Sequence, residues 1–295
     1  MFRCKKLCSR LLVLLTVCLL FSGIIGTCAA LAANETEPTT PIRIACVGDS
    51  ITYGYLSSNP ATKSYPAQLQ AMLGDGYTVK NFGVNSATMM DGTNKPYTLQ
   101  SQYTESLSFN PDIVIIMLGT NDSKPAYWNP EKFKSGALSL VESYKNLPSS
   151  PKVYLATSAK CYKDEPNGIT GAVIDNEIVP IQHEVAKLSG SVLIDINLLT
   201  ADRSYLYHSD GIHLSDEGYL YIAQCMYNAL MYEAEDVNRD GTVNVGDMGT
   251  ISRFYGYTSD NPNWEKAQKA DVDKNGIIGI QDLVAVAAKI LHHSS

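Results

Sequence analysis

The stretch Ile42-Arg43-Ile44-Ala45-Cys46-Val47-Gly48-Asp49-Ser50-Ile51-Thr52 decides the fold. An apolar run of strand length passes into a glycine, an acid and a hydroxyl, which predicts Ser50 at the carboxyl edge of a buried strand. Ligands of open α/β sheets bind along that edge. A serine there acts as a nucleophile only with a base in reach. Far downstream, Asp210-Gly211-Ile212-His213 offers an imidazole and a carboxylate three residues apart. Between them lie Gly83, after one apolar run, and Gly119-Thr120-Asn121-Asp122, after another.

Outward from Ile42 the chain alternates strand-like and helix-like segments. Strands are predicted at Ile42–Val47, Thr78–Phe82, Ile113–Met117, Val153–Ala156 and Val192–Ile196. Amphipathic helices are predicted around Tyr65–Leu73, Glu131–Lys145 and Ile174–Leu188, with a last one over Asp216–Tyr232. Asp216 and Glu217 suit the first turn of that helix, where negative charge meets the positive end of the dipole. Such alternation predicts a parallel sheet covered by helices on both faces.

Acyl transfer needs a nucleophile, a base, a group that orients the base, and donors for the oxyanion. The candidates are Ser50, His213 and Asp210, with the Ser50 and Gly83 backbone N–H groups and the Asn121 amide as donors. Each also has a plain structural role. Asp49-Ser50 can cap a helix, Gly83 can serve a turn, and Asn121-Asp122 can cap a loop. Their order after successive strands favours the chemical reading. His183, His208, His292 and His293 lack an acid three residues earlier.

These blocks resemble the GDSL-type (SGNH) esterases over about residues 42–232. The matching blocks are Gly48-Asp49-Ser50, Gly83, Gly119-Thr120-Asn121-Asp122 and Asp210-Gly211-Ile212-His213. The resemblance implies a flavodoxin-like three-layer sandwich with a five-stranded parallel sheet in the order 2-1-3-4-5. It also implies ester hydrolysis through an acyl-enzyme. The Gly-x-Ser-x-Gly elbow of ordinary α/β-hydrolases is absent, because Thr52 stands at its last glycine.

Composition bounds the setting. The chain has 295 residues and a formal charge of −7. Arg3, Lys5, Lys6 and Arg10 precede the apolar run from Leu11 to Ile25, and Ala29-Ala30-Leu31-Ala32-Ala33 follows. This pattern predicts a signal peptide over residues 1–33, hence secretion, with a short polar lead-in over 34–41. A membrane anchor is the competing reading, but the run is short for a spanning helix. Without the leader the charge is about −11, which argues against nucleic acid or anionic membrane as partner. Cys46, Cys161 and Cys225 then remain, too few for a disulfide framework.

A second unit, over 236–295, is built from a duplication. Asp236-Val237-Asn238-Arg239-Asp240-Gly241-Thr242 recurs 35 residues later as Asp271-Val272-Asp273-Lys274-Asn275-Gly276-Ile277. Oxygen-bearing side chains at alternate places with a glycine at the sixth suit calcium. The predicted ligands are Asp236, Asn238, Asp240, the Thr242 carbonyl and Asp247, then Asp271, Asp273, Asn275, the Ile277 carbonyl and Asp282. Helical apolar spacing follows each loop. The unit resembles the dockerin modules of cellulosomal enzymes, an all-α pair of EF-hand-like motifs. That resemblance implies two structural Ca²⁺ ions and docking onto a cohesin of a scaffold protein. Val245-Gly246 and Ile280-Gln281 would face the cohesin, and their difference predicts one dominant orientation.

Together the two resemblances imply a secreted, cellulosome-associated esterase that removes O-acetyl groups from plant cell-wall polysaccharide, acetylxylan foremost. A lipid or aryl esterase of the same fold is the alternative enzyme. A non-catalytic, calcium-dependent scaffold- or carbohydrate-binding protein is the alternative of another class. No catalytic cofactor is expected. Tyr53, Tyr55, Tyr127, Trp128 and Tyr207 fall near the presumed catalytic edge and could stack on sugar rings or fill a rim.

Overall fold

The structure is a computed structural model that describes residues 40–166, 168–240 and 242–293. The expected signal peptide, and the lead-in as far as residue 39, lie outside the described residues. Among those described, no helix is long and apolar enough to cross a membrane.

Five strands form one parallel sheet: β1 Ile42–Gly48, β2 Tyr77–Gly83, β3 Ile113–Met117, β4 Lys152–Ala156 and β5 Val192–Ile194. Their order is β2-β1-β3-β4-β5, as expected from the resemblance. β1 is paired on both sides, with Val47 opposite Phe82 of β2 and Ile116 of β3. Cores on both of its faces leave Ile44–Val47 no solvent face, which is why that stretch reads as an apolar run.

Successive side chains of a strand point to opposite faces. Ala45 and Val47 join one core with Phe133, Leu140 and Tyr144 of the helix Pro130–Lys145 and Val185 of Val179–Ser189. Ile44 and Cys46 join the other, with Tyr65 and Leu69 of Tyr65–Leu73 and Tyr219, Ile222 and Met226 of Asp216–Met231. Each fully buried aliphatic or aromatic side chain contributes about 1.5–3 kcal/mol. The cysteines Cys46, Cys161 and Cys225 are buried and free.

Three sequence expectations need correction. β5 stops at Ile194, because Asp195 accepts the Leu198 N–H at 3.0 Å and caps the short helix Ile196–Thr200. The helix expected over 174–188 opens as a π-helical turn, Ile174–Ile178, before becoming α-helical at Val179. A helix at Ser101–Ser108 was not expected at all; its few apolar residues, Tyr103 and Leu107, gave little periodic signal.

The C-terminal unit has its own small core, in which Val237, Ile251, Ala267, Ala270, Val272, Ile278 and Val286 are buried. Its long helices are Val245–Phe254 and Ile280–His293. Arg203, from the larger unit, donates to Glu265 at 2.6 Å.

Candidate active site

β1 ends at Gly48, and a single helical turn, Ser50–Tyr53, begins at the carboxyl edge of the sheet. Asp49 is its N-cap, accepting the Ile51 N–H at 2.9 Å. The plain role of Asp49 and the chemical one of Ser50 thus coexist: capping fixes the turn that presents the hydroxyl. Burial pushes the Asp49 carboxyl up to about 6, even though the Ile51 N–H favours its ionised form.

Ser50 Oγ lies 3.0 Å from His213 Nε2, and His213 Nδ1 lies 2.7 Å from Asp210 Oδ2. The three residues expected to meet are therefore in contact, although 163 positions separate serine from histidine. The other oxygen of Asp210 accepts the N–H groups of Ile212 and His213, both at 3.0 Å. Burial alone would raise the Asp210 carboxyl, but these bonds and the imidazole outweigh it and hold the pKa below its usual value. An anion at Asp210 takes the proton on Nδ1, which leaves the Nε2 lone pair facing Ser50. His208, the histidine nearest to His213 in sequence, is engaged elsewhere: its Nε2 donates to the Leu56 carbonyl at 3.1 Å.

The Gly83 N–H donates to Oδ1 of Asn81 at 2.9 Å, within its own strand end. Gly83 also serves packing. A Cβ there would stand 2.2 Å from the Tyr53 nitrogen and 2.7 Å from the Thr52 carbonyl carbon. Only a glycine lets the Ser50–Tyr53 turn rest on β2.

Asn121 lies just beyond β3 in the 3₁₀ turn Asn121–Ser123 and is almost fully buried. Its amide donates to the Ala87 carbonyl at 3.2 Å. Ala87 closes a turn onto Val84, N–H to carbonyl at 3.1 Å. Within that turn Ser86 has φ of 64°, and its N–H makes no bond to another described residue. Sequence reading missed Ser86, since a non-glycine residue carries no signal of positive φ. Asp122, read as a loop cap, is fully buried and accepts the N–H groups of Met89 at 2.9 Å and Met90 at 2.8 Å. Burial pushes its carboxyl up to about 7 against those two bonds.

Of the five aromatic residues considered, Tyr55 touches the site. Its ring meets His213 edge to face, centroids 4.8 Å apart. Tyr127 and Trp128 pack against the core. Tyr207 pairs with Tyr162.

Residues 46–220 match the GDSL-like Lipase/Acylhydrolase family. The chain belongs to that family. Residues 234–291 match the dockerin type I domain. The GDSL-like part is 37% identical, over 207 residues, to an acetylxylan esterase from Xylanibacter ruminicola. That alignment covers 64% of this chain but 43% of the relative, so the chain spans less than half of the relative's length. The fold is shared with a carbohydrate acetylesterase from Sinorhizobium meliloti (TM-score 0.55, 23% identity, 64% of this chain and 98% of that one). It is also shared with a lipase/acylhydrolase from Enterococcus faecalis (TM-score 0.53, 24% identity, 64% and 95%).

The dockerin loops fit a hard cation. Asp271, Asp273 and Asp282 bring one oxygen each within 4.8 Å of one another, and Asp271 and Asp282 are buried. Asp282 is further oriented by the N–H groups of Val272 and Gly279. In the first loop Asp247 is buried and accepts from Asn238 and Asn244 in the same way, and Asp236 is buried too. Clustered buried carboxylates held by backbone donors call for a compensating charge.

Proposed function

We propose that this chain is a serine esterase that removes O-acetyl groups from plant cell-wall polysaccharide, acetylxylan foremost, through an acyl-enzyme on Ser50. The observation that carries this reading is the unbroken chain Ser50 Oγ, His213 Nε2, His213 Nδ1, Asp210 Oδ2, with contacts of 3.0 and 2.7 Å. The choice of acetylated carbohydrate is supported by the similarity to an acetylxylan esterase and by the dockerin match.

In the first half-reaction His213 Nε2 takes the Ser50 hydroxyl proton as Oγ bonds to the ester carbonyl carbon. Asp210 holds the imidazole and stabilises its positive charge. The tetrahedral oxyanion is assigned to the Ser50 N–H, the Asn121 amide and the Ser86 N–H, in place of Gly83. At Ser86, φ > 0 in a turn closed by Ala87 leaves the N–H directed away from the turn. Collapse breaks the bond to the sugar oxygen, which leaves with the proton from His213. Water then repeats the sequence on the acyl-enzyme, and acetate departs with Ser50 regenerated.

The dockerin loops hold two Ca²⁺ ions through Asp236, Asn238, Asp240, Thr242 and Asp247, and through Asp271, Asp273, Asn275, Ile277 and Asp282. Calcium here supplies folding energy, since buried acids must otherwise be desolvated uncompensated. The folded module docks on a cohesin with Val245-Gly246 or Ile280-Gln281; exposed Val245 and Ile280 support that surface. Residues 1–33 serve as the export signal.

The test is acetate release from acetylated xylan by the purified protein beside Ser50→Ala. Release that vanishes in the variant supports serine, substrate and mechanism together. Release that persists places the nucleophile elsewhere, and Ser50-dependent cleavage of small acetates alone rejects the polymer.

A further inference from the structure

We infer that Tyr55 is the wall of the leaving-group subsite and stacks on the sugar ring that carries the ester, a specificity residue for acetylated carbohydrate over simple acetates. This rests on the carbohydrate-ester reading above. The alcohol leaving the tetrahedral intermediate takes its proton from Nε2, so the leaving group must sit beside that imidazole. Tyr55 occupies the neighbourhood of the same imidazole, ring centroids 4.8 Å apart and planes inclined by 66°. Yet 43% of Tyr55 is exposed, so the ring is not core filler. An exposed aromatic ring next to the proton donor offers apolar contact to the carbon-bound hydrogens of a pyranose.

The backbone that carries the ring is also held in place. The Tyr55 N–H donates to the Ser50 carbonyl at 2.9 Å, and its carbonyl accepts the Tyr219 hydroxyl at 2.7 Å. The next residue, Leu56, has φ of 65°, and His208 donates to its carbonyl. Two residues on, Asp216 accepts both the Ser58 N–H at 2.8 Å and the Ser58 hydroxyl at 2.5 Å. Three side chains flanking His213 in sequence thus bind the strap 55–58 to the segment that carries the base. A merely exposed tyrosine needs no such anchoring; a subsite wall does, because its ordering is then complete before substrate arrives.

The test compares Tyr55→Phe and Tyr55→Ala with the parent protein on acetylated xylo-oligosaccharide and on ethyl acetate, whose leaving group has no ring. For Tyr55→Ala the ratio of kcat/KM on oligosaccharide to that on ethyl acetate is expected to fall about tenfold, mainly through KM. Tyr55→Phe, which keeps the ring, restores the ratio. An unchanged ratio in Tyr55→Ala, whatever the absolute rates, overturns the subsite while leaving the esterase reading intact. A parent protein that cleaves ethyl acetate but not the oligosaccharide overturns the carbohydrate reading and the subsite with it.

Discussion

The backbone N–H of Gly83 donates to the side-chain oxygen of Asn81 at 2.9 Å, across a single intervening residue. The amide nitrogen of the same Asn81 donates to the Thr52 carbonyl at 2.9 Å. One side chain therefore closes the end of β2 and ties it to the turn that carries Ser50. Asn81→Ala is expected to cost about 1–3 kcal/mol in chemical denaturation, with a lower kcat because the nucleophile turn loses its tether. Unchanged stability would show the tether to be idle.

Gly83→Ala keeps the backbone N–H but not the fit. A methyl group 2.2 Å from the Tyr53 nitrogen forces the turn off the sheet, at a cost of at least about 1–3 kcal/mol. Thermal melts of Gly83→Ala read that cost, and an unchanged melting temperature would show the close approach to be dispensable.

The oxyanion assignment makes a paired prediction. Asn121→Ala is expected to lower kcat about 10²–10³-fold with a small change in KM, as for loss of one oxyanion donor. Ser86→Gly keeps the N–H and relieves φ of 64°, so activity should survive and stability rise by about 1 kcal/mol. Steady-state kinetics on a small acetate checks both, and a large loss in Ser86→Gly would give the hydroxyl a role denied to it here.

Asp122 introduces a pH dependence of stability. Its carboxyl is raised in the folded state to about 7 by burial, well above the usual unfolded value. The folded protein then binds more protons than the unfolded chain, so the contribution is present in full at low pH and is lost as pH rises through about 7. Between about pH 4 and 7 the stability of the parent protein should fall relative to Asp122→Asn, by up to about 1.4 kcal/mol per pH unit. Urea titrations of both proteins across that range read the difference, and a parent that gains stability relative to Asp122→Asn as pH rises would contradict a buried, raised carboxyl.

Calcium removal should unfold the dockerin and spare the esterase. Chelation is expected to abolish cohesin binding and the helical signal of the C-terminal unit while Ser50-dependent turnover largely persists. Asp282→Ala should weaken calcium binding at the second loop and leave the first occupied, as read by calorimetric stoichiometry.

The sheet was legible because a central strand covered by helices on both faces is apolar through its core, and Ile44–Val47 is. The histidine and its acid were legible because they share one short turn. Gly83 was ambiguous for a physical reason: a glycine needed for an exposed donor and one needed for close packing look alike in sequence. Ser86 was invisible because positive φ at a serine is imposed by the turn that Ala87 closes, not by the residue. The clamp from Asp122 to Met89 and Met90 spans more than thirty residues, beyond any local pattern. The strap that anchors Tyr55 was hidden likewise, since its partners His208, Asp216 and Tyr219 come from the far end of the domain.

The central claim is covalent catalysis at Ser50, and the most direct test is to trap the intermediate. The protein turning over an acetyl ester would be acid-quenched, digested and examined by peptide mass spectrometry, with Ser50→Ala run beside it. The account predicts one acetyl group on the peptide carrying Ser50, absent in Ser50→Ala. Turnover with acetyl on another side chain, or turnover that survives in Ser50→Ala, would contradict it.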